Sequence, residues 1–283
     1  MAFNPGVRAI MTIVNPASST PRLQADALTL GYDGKVISQN LSVAIPDGEF
    51  TVIVGPNACG KSTLLRALSR LLKPQAGQVI LDGKNIVSLD TRHVARHLGL
   101  LPQSSQAPDG ISVLDLVARG RYPHQKLLQQ WTQADKRAVS EAMQATGVSE
   151  LADRSVDALS GGQRQRVWIA MVLAQQTPLL LLDEPTTYLD IAHQIDLLEL
   201  FSHLNQHNNH TLVAVLHDLN HACRYASHII AMRDGQIVTQ GKPREVITAQ
   251  LVEQVFGMPC LIIDDPVSGT PLVIPRGRFR VSV

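Results

Sequence analysis

The stretch Gly55-Pro56-Asn57-Ala58-Cys59-Gly60-Lys61-Ser62-Thr63 constrains this chain more than any other. The apolar run Phe50–Val54 before it reads as a buried strand, and Leu64–Leu68 after it has helical spacing. Strand, glycine-rich turn and helix form the setting in which G-x-x-x-x-G-K-[ST] is a phosphate-binding loop. Successive backbone N–H groups, with a helix N-terminus behind them, curl around a polyphosphate. Lys61 brings a positive charge to the β- and γ-phosphates, and the Ser62 hydroxyl can ligate Mg²⁺. The rival reading, a tight turn with an incidental lysine, leaves the flanking strand and helix unexplained. These residues imply a nucleoside triphosphate ligand.

The chain has 283 residues, room for one large or two small domains with a sizeable core. Hydrophobic residues at 45% against 17% charged make most of it globular. A formal net charge of +1 argues against a broad nucleic-acid-binding surface. Cys59, Cys223 and Cys260 are too few and too scattered for a disulfide framework or a zinc site. A cysteine inside the phosphate loop also suits a reducing compartment. No apolar run approaches the roughly 20 residues of a membrane-spanning helix, so a cytosolic protein is the simplest expectation.

Along the chain, residues 1–21 with Pro5, Pro16 and Pro21 read as a loose leader. Short β-prone runs from Leu23 to Ile45, and again at Val79–Leu81, alternate with turns such as Asp33-Gly34 and Asp82-Gly83. They predict a small antiparallel layer that includes Tyr32. Leu98–Leu101 reads as a core strand leading to Gln103. Residues 104–158 then lack strand runs and show helical segments at Val113–Arg119, Ala134–Thr146 and Val148–Asp153. Ser160 is placed to cap a helix running to Ala174, with Gly161 and Gly162 leaving backbone N–H groups accessible at its start. Leu179–Leu182, with no polar alternation, fits a parallel strand buried on both faces. Asp183 and Glu184 emerge at its C-terminal end, where open α/β sheets place their ligands. Ile191 to Asn205 reads as helix, Thr211 to Leu216 as strand ending at His217, and Asp234-Gly235 as a hairpin turn. Residues 264–283, rich in Pro, Gly and Arg, read as a tail.

Asp183 can hold Mg²⁺ through water, and Glu184 can accept a proton from an attacking water. With Leu159-Ser160-Gly161-Gly162-Gln163 added, the chain resembles the ATP-binding-cassette (ABC) ATPases from about Leu23 to about Gly257. The resemblance implies an α/β fold: a P-loop NTPase core with a small antiparallel β layer and a helical subdomain. It also implies a leader over 1–21, an ATPase domain over 22–263 with the helical subdomain at about 104–158, and a tail over 264–283. Gly55 to Thr63 matches the Walker A loop and Leu179 to Glu184 the Walker B strand. Gln103 matches the Q-loop glutamine, which in the family senses Mg²⁺ and γ-phosphate. Ser160, Gly161, Gly162 and Gln163 match the signature, and Thr187-Tyr188-Leu189-Asp190 the D-loop. His217 matches the switch histidine, and Tyr32 the aromatic that stacks on adenine. Singly, a glutamine, tyrosine or histidine in such places is more often structural; their order between the longer motifs carries the match. ATP and Mg²⁺ are the implied cofactors, with Ser62, Gln103 and Asp183 around the metal.

In the family the signature contacts the γ-phosphate held by a partner's Walker A loop. One chain therefore completes neither site alone, and the resemblance implies a homodimer with two composite sites. Ala58 departs from the glycine common at that position. A positive φ there would cost on the order of 1–3 kcal/mol, and an ordinary φ nothing.

Gly120-Arg121-Tyr122-Pro123-His124, Thr186–Gln194 and His217-Asp218-Leu219-Asn220 look like the ATPases that energise bacterial uptake of ferric siderophores, haem and cobalamin. Ile263–Pro271 looks similar to the ferric enterobactin group. That resemblance implies import of a ferric siderophore, with haem or cobalamin as the alternative cargo. It implies two membrane permease subunits, a substrate-binding protein met indirectly, and a peripheral position on the cytoplasmic face. A soluble ABC ATPase unconnected with transport is the rival class. Such proteins usually carry coiled-coil insertions or two cassettes, and this chain has neither. His203, His207 and His210 suggest metal spacing, but Asn205, Gln206, Asn208 and Asn209 around them favour a solvated helix end.

Overall fold

The computed structural model describes residues 21–103, 106–125 and 131–277. The expected leader, apart from Pro21, and the last residues of the expected tail lie outside these. The described chain divides into two compact units: residues up to Asn85 together with those from Val213 onward, and Ile86–Leu212.

The first unit opens with β1 (Leu23–Tyr32), β2 (Lys35–Ile45), β3 (Phe50–Val54), α1 (Lys61–Leu68), β4 (Ala76–Leu81) and β5 (Lys84–Asn85). An antiparallel sheet runs in the order β2-β1-β4-β5, as the alternation of short runs and turns predicts. The connections at Asp33-Gly34 and Asp82-Gly83 place both residues at positive φ, the geometry that matches strand twist in two-residue hairpins. Every residue of β3 is buried, and Leu28, Leu30, Phe50, Ile53, Leu64 and Leu65 form the centre of this unit's core.

The second unit contains α2 (Thr91–His97), β6 (Leu98–Leu101), α3 (Val113–Ala118), α4 (Gln133–Ala145), α5 (Gly161–Ala174), β7 (Leu179–Asp183) and α6 (Ile191–Asn208). β8 (Thr211–Val215) carries the chain back to the first unit. β6 and β7 pair in parallel, with Leu98 opposite Leu179 and Leu101 opposite Leu182. α5 packs against α3 and α4, and Val117, Val139, Met143 and Val167 on these helices are buried. Thr132 and Asp135 form a capping box at the start of α4. The helix expected over Val148–Asp153 is a single 3₁₀ turn, Ser149–Leu151. Gly147 at φ 64 ends the preceding helix. The few residues before the Ser112–Ser155 bridge are too short to repay helix nucleation. α6 runs three residues further than its pattern suggests and ends at Asn209 in a left-handed cap.

After its return the first unit adds α7 (Leu219–Tyr225), β9 (His228–Arg233), β10 (Gln236–Gly241), α8 (Pro243–Val246), α9 (Ala249–Phe256), β11 (Cys260–Asp264) and β12 (Pro271–Pro275). β9 lies parallel to β3 and antiparallel to β10 across the Asp234-Gly235 turn. The segment read as a tail from residue 264 is instead, through Pro275, part of the β11–β12 hairpin. Its Pro- and Gly-rich centre is the turn: Asp265 Oδ1 accepts from the Val267 and Ser268 amides at 2.7 and 3.2 Å. Asn220 of α7 fastens β12 by accepting from Val273 N at 2.7 Å. Among the described residues no helix is long and apolar enough to cross a membrane.

Candidate functional site

The chemistry-bearing residues fall in both units. Tyr32, the loop Gly55–Thr63 and His217 belong to the unit built from residues up to Asn85 and from Val213 onward. Gln103, Ser160–Gln163, Asp183, Glu184 and Asp190 belong to Ile86–Leu212.

In the first unit β3 delivers the chain to Gly55, where an added Cβ would lie 2.2 Å from the Met232 carbonyl oxygen. Only glycine permits that approach, which fixes the loop against the strand beside it. The loop turns back through Ala58 at φ 60 and Gly60 at φ 103. Ala58 thus adopts the positive φ that the sequence left open. Gly60 is the N-cap of α1 and no side chain caps the helix, so its first-turn amides face the loop as an anion site would require. Lys61 is only 5% exposed, and its Nζ donates to the carbonyls of Gly55 and Pro56 at 2.9 and 2.8 Å. Those two bonds satisfy a buried ammonium inside its own loop. Burial pushes the Cys59 thiol up despite the nearby Lys61, so the residue packs and is not a reactive thiolate. Tyr32 ends β1 partly exposed, its hydroxyl 3.5 Å from Arg66 Nη1 on α1. His217 stands exposed beyond β8, just before Asp218, which caps α7 by accepting from His221 N at 2.9 Å.

In the second unit β7 is buried throughout, and Asp183 at its end is 2% exposed. Glu184 follows at φ 52, half-buried, in a turn closed by Thr187 N donating to Glu184 O at 3.2 Å. Thr187 Oγ1 also donates to Glu184 Oε2 at 3.3 Å, orienting the carboxylate. Ser160 caps α5 as its position suggests: its Oγ accepts from Gln163 N at 3.3 Å, and Gln163 Oε1 accepts from Ser160 N at 3.1 Å. The D-loop-like segment lies against this helix start. A Cβ added at Gly162 would come 3.3 Å from Leu189 Cδ2, and one at Gly161 3.6 Å from Tyr188 Cβ. Asp190 caps α6, accepting from the His193 amide and ring at 2.9 and 2.8 Å, and these bonds hold its carboxyl below the usual range. Gln103 is exposed two residues beyond β6.

Several residues that hold these groups are not evident from sequence. Gln165 Nε2 donates to Pro185 O at 3.1 Å, and Gln194 Nε2 donates to Leu189 O at 2.9 Å and Thr186 O at 3.3 Å. Arg121, legible only as part of a resemblance, is buried. Its Nε donates to Asp135 at 2.9 Å, and its Nη1 to Ala174 O and Gln176 Oε1 at 2.8 and 2.9 Å. His124 adds a bond to Gln175 O at 2.8 Å, so the Arg119–His124 turn clamps the C-terminal end of α5. A glutamine on a helix normally reads as solvated, and no spacing marks one that reaches a distant carbonyl.

The histidine group does not assemble. Among the described residues no group of three or more His, Cys, Asp or Glu side chains could hold a metal ion. His203 and His207 stack with ring centroids 4.1 Å apart. His210, expected on the solvated end, is buried and donates from Nδ1 to Thr177 O at 3.0 Å, with burial lowering its pKa.

A family model described as ABC transporter matches residues 38–187. The chain is 62% identical over 264 residues to the ferric enterobactin transport ATP-binding protein FepC of Escherichia coli (strain K12), covering 93% of this chain and 97% of that protein. It is 54% identical over 261 residues to the probable siderophore transport system ATP-binding protein YusV of Bacillus subtilis (strain 168), covering 92% and 95%. A dimeric post-hydrolysis structure of the ATP-binding cassette MJ0796 bound to ADP and Pi superposes with a TM-score of 0.69 at 28% identity, over 78% of this chain and 98% of that one.

Proposed function

This chain belongs to the ABC transporter family as an ATP-binding, ATP-hydrolysing subunit, and on that premise we propose that it energises import of a ferric siderophore. The observation that carries the reading is 62% identity to a ferric enterobactin transport ATPase across nearly the whole of both chains. Two copies act as a dimer beneath a pair of permease subunits, peripheral to the membrane at its cytoplasmic face. The helical segment of about 104–158 and the Gln103 region dock the permease, which receives cargo from a substrate-binding protein. Nucleic acid has no part in this reading, consistent with the formal net charge of +1.

The residue roles follow from their chemistry. Backbone N–H groups of Gly55–Thr63 surround the phosphates, with Pro56, Asn57, Ala58 and Cys59 shaping the loop. Lys61 exchanges its two loop carbonyls for phosphate oxygens. Tyr32 stacks on adenine. Ser62, Gln103 and Asp183 offer hydroxyl, amide and carboxylate oxygens, the hard donors that Mg²⁺ takes. Bound there, Mg²⁺ would neutralise charge on the phosphate oxygens. Glu184, aimed by Thr187, accepts the proton of the attacking water, and His217 meets the γ-phosphate. Ser160, Gly161, Gly162 and Gln163 bind the γ-phosphate held by the other copy, and Asp190 fixes the D-loop against the dimer contact. Developing charge is met chiefly by Lys61 and oriented N–H dipoles.

The test is uptake of iron-labelled siderophores in cells lacking the gene, complemented with wild type or Lys61→Ala, with haem and cobalamin run in parallel. Rescue of siderophore uptake by wild type alone is expected. Rescue confined to haem or cobalamin would change the cargo. No defect for any of the three would detach this ATPase from such transport.

A further inference from the structure

We infer that Gln165 is a positioning residue that makes the readiness of Glu184 depend on the nucleotide engaged by the same chain's signature, so that the two composite sites of a dimer hydrolyse cooperatively. This rests on the reading that the signature serves the partner's nucleotide and Glu184 the chain's own.

The contacts all lie within Ile86–Leu212. Ser160–Gln163 forms the cap and first turn of α5, and Gln165 follows two residues later on the same helix. From there its side chain donates to the carbonyl of Pro185, the residue after Glu184. On the opposite side Gln194 of α6 grips Thr186 O and Leu189 O. The turn after the base is therefore suspended between two helices by side-chain amides on three of its carbonyls. It also carries non-glycine residues in the left-handed region, Glu184 at φ 52 and Tyr188 at φ 68. Such conformations persist only where surrounding contacts over-determine them. Gly161 and Gly162 lie against Tyr188 and Leu189, so the first turn of α5 borders the far end of this turn while Gln165 reaches its start. Any displacement of α5 when its signature engages phosphate acts through Gln165 on the backbone one peptide from Glu184. A helix that merely packed there would support the turn equally in every state. A single directed hydrogen bond from the signature helix lets the turn follow that helix. Gln165 touches no reacting atom and acts only through Pro185.

The experiment measures ATP hydrolysis by the full-length chain against ATP concentration, together with nucleotide affinity and Tm. The variants are Gln165→Met, of similar length without the donor, Gln165→Glu, with an acceptor in place of the donor, and Gln165→Lys, which restores an N–H of comparable reach. Wild type should be cooperative, with a Hill coefficient approaching about 2, the number of sites. The Met and Glu variants should lose roughly threefold to tenfold in kcat, the scale of one neutral hydrogen bond. Their Hill coefficient should fall to about 1 with nucleotide affinity unchanged. Lys should recover both. A cooperative wild type matched by equally cooperative Met and Glu variants overturns the inference alone. So does a loss in all three variants alike, which would make Gln165 ordinary packing. A non-cooperative wild type fails before any substitution and overturns the reading of shared sites along with it.

Discussion

Around Lys61 the working atoms belong to the main chain, and what holds them is backbone conformation: a close approach at Gly55, left-handed residues at Ala58 and Gly60, and a lysine bonded to its own loop carbonyls. Around Glu184 the proposed working group is a side chain: Thr187 of the same turn bonds its carboxylate, and Gln165 of α5 and Gln194 of α6 hold carbonyls of that turn, with Arg121 clamping the far end of α5. A backbone cradle is fixed once the strand and helix flanking it fold. A carboxylate hung between helices moves when they do. The first arrangement suits a site that must bind phosphate in every state, and the second suits one whose reactivity is switched.

Glu184→Gln tests the contrast most severely. The amide keeps the shape and still offers an oxygen to Thr187, so the turn and the phosphate loop should be undisturbed. Losing a general base removes about 10²–10⁴ in rate. Steady-state phosphate release should fall by that factor while ATP binding, followed by equilibrium titration, stays near wild type. Near-normal hydrolysis would remove Glu184 from the chemistry, and a parallel loss of ATP affinity would show that the two regions are not separable as described.

The next largest effect concerns stability. Arg121 and Asp135 are sealed together, with side chains 6% and 8% exposed. Removing one partner of a buried pair costs about 3–5 kcal/mol, because the other charge stays buried and unmatched. Asp135→Ala should therefore lower stability by that amount in chemical denaturation, a loss no single contact in the phosphate loop would match. The pH dependence has a definite sign. Burial pushes the Asp135 carboxyl up, but hydrogen bonds from Thr132 and Arg121 outweigh it and hold the group below the usual range. A carboxyl depressed on folding contributes fully above its unfolded value of about 3.9, and that contribution drains away as pH falls through the lower folded value. Wild type should lose stability over that acid interval, and Asp135→Asn should lose less.

The same division explains what could be read beforehand. The loop between β3 and α1 was legible because a backbone that approaches a neighbouring strand and turns at positive φ demands glycine at fixed spacing between a strand and a helix. The Asp-Gly turns of the β layer were legible because both residues must adopt positive φ. Ser160 announced its helix because a cap is a local bond. The grip of Gln165 and Gln194 on the Glu184 turn was not legible, since the contact joins residues 20 apart in the first case and depends on how helices pack. His210 was misread for the same reason: surrounding asparagines suggest solvent, but its partner Thr177 lies 33 residues away. The hairpin at Cys260–Pro275 was hidden by the proline, glycine and aspartate that form its turn, a composition that a tail shares.

The smallest effect lies in the loop at Ala58. Ala58 holds φ 60 with its side chain exposed, so little packing offsets the conformation. An L-residue there costs on the order of 1–2 kcal/mol, while glycine, free of that cost, loses about 0.5–1 kcal/mol more chain entropy on folding. Ala58→Gly should therefore stabilise the chain by about 0.5–1 kcal/mol, a rise in Tm of roughly 1–4 °C for a protein of this size. Because the methyl faces solvent and the proposed phosphate contacts come from N–H groups, half-saturation by ATP should stay within about twofold, under 0.5 kcal/mol. A lower Tm would mean that the loop relaxes around alanine without strain. An affinity change beyond that range would mean that the Ala58 side chain, and not the backbone alone, shapes the cradle.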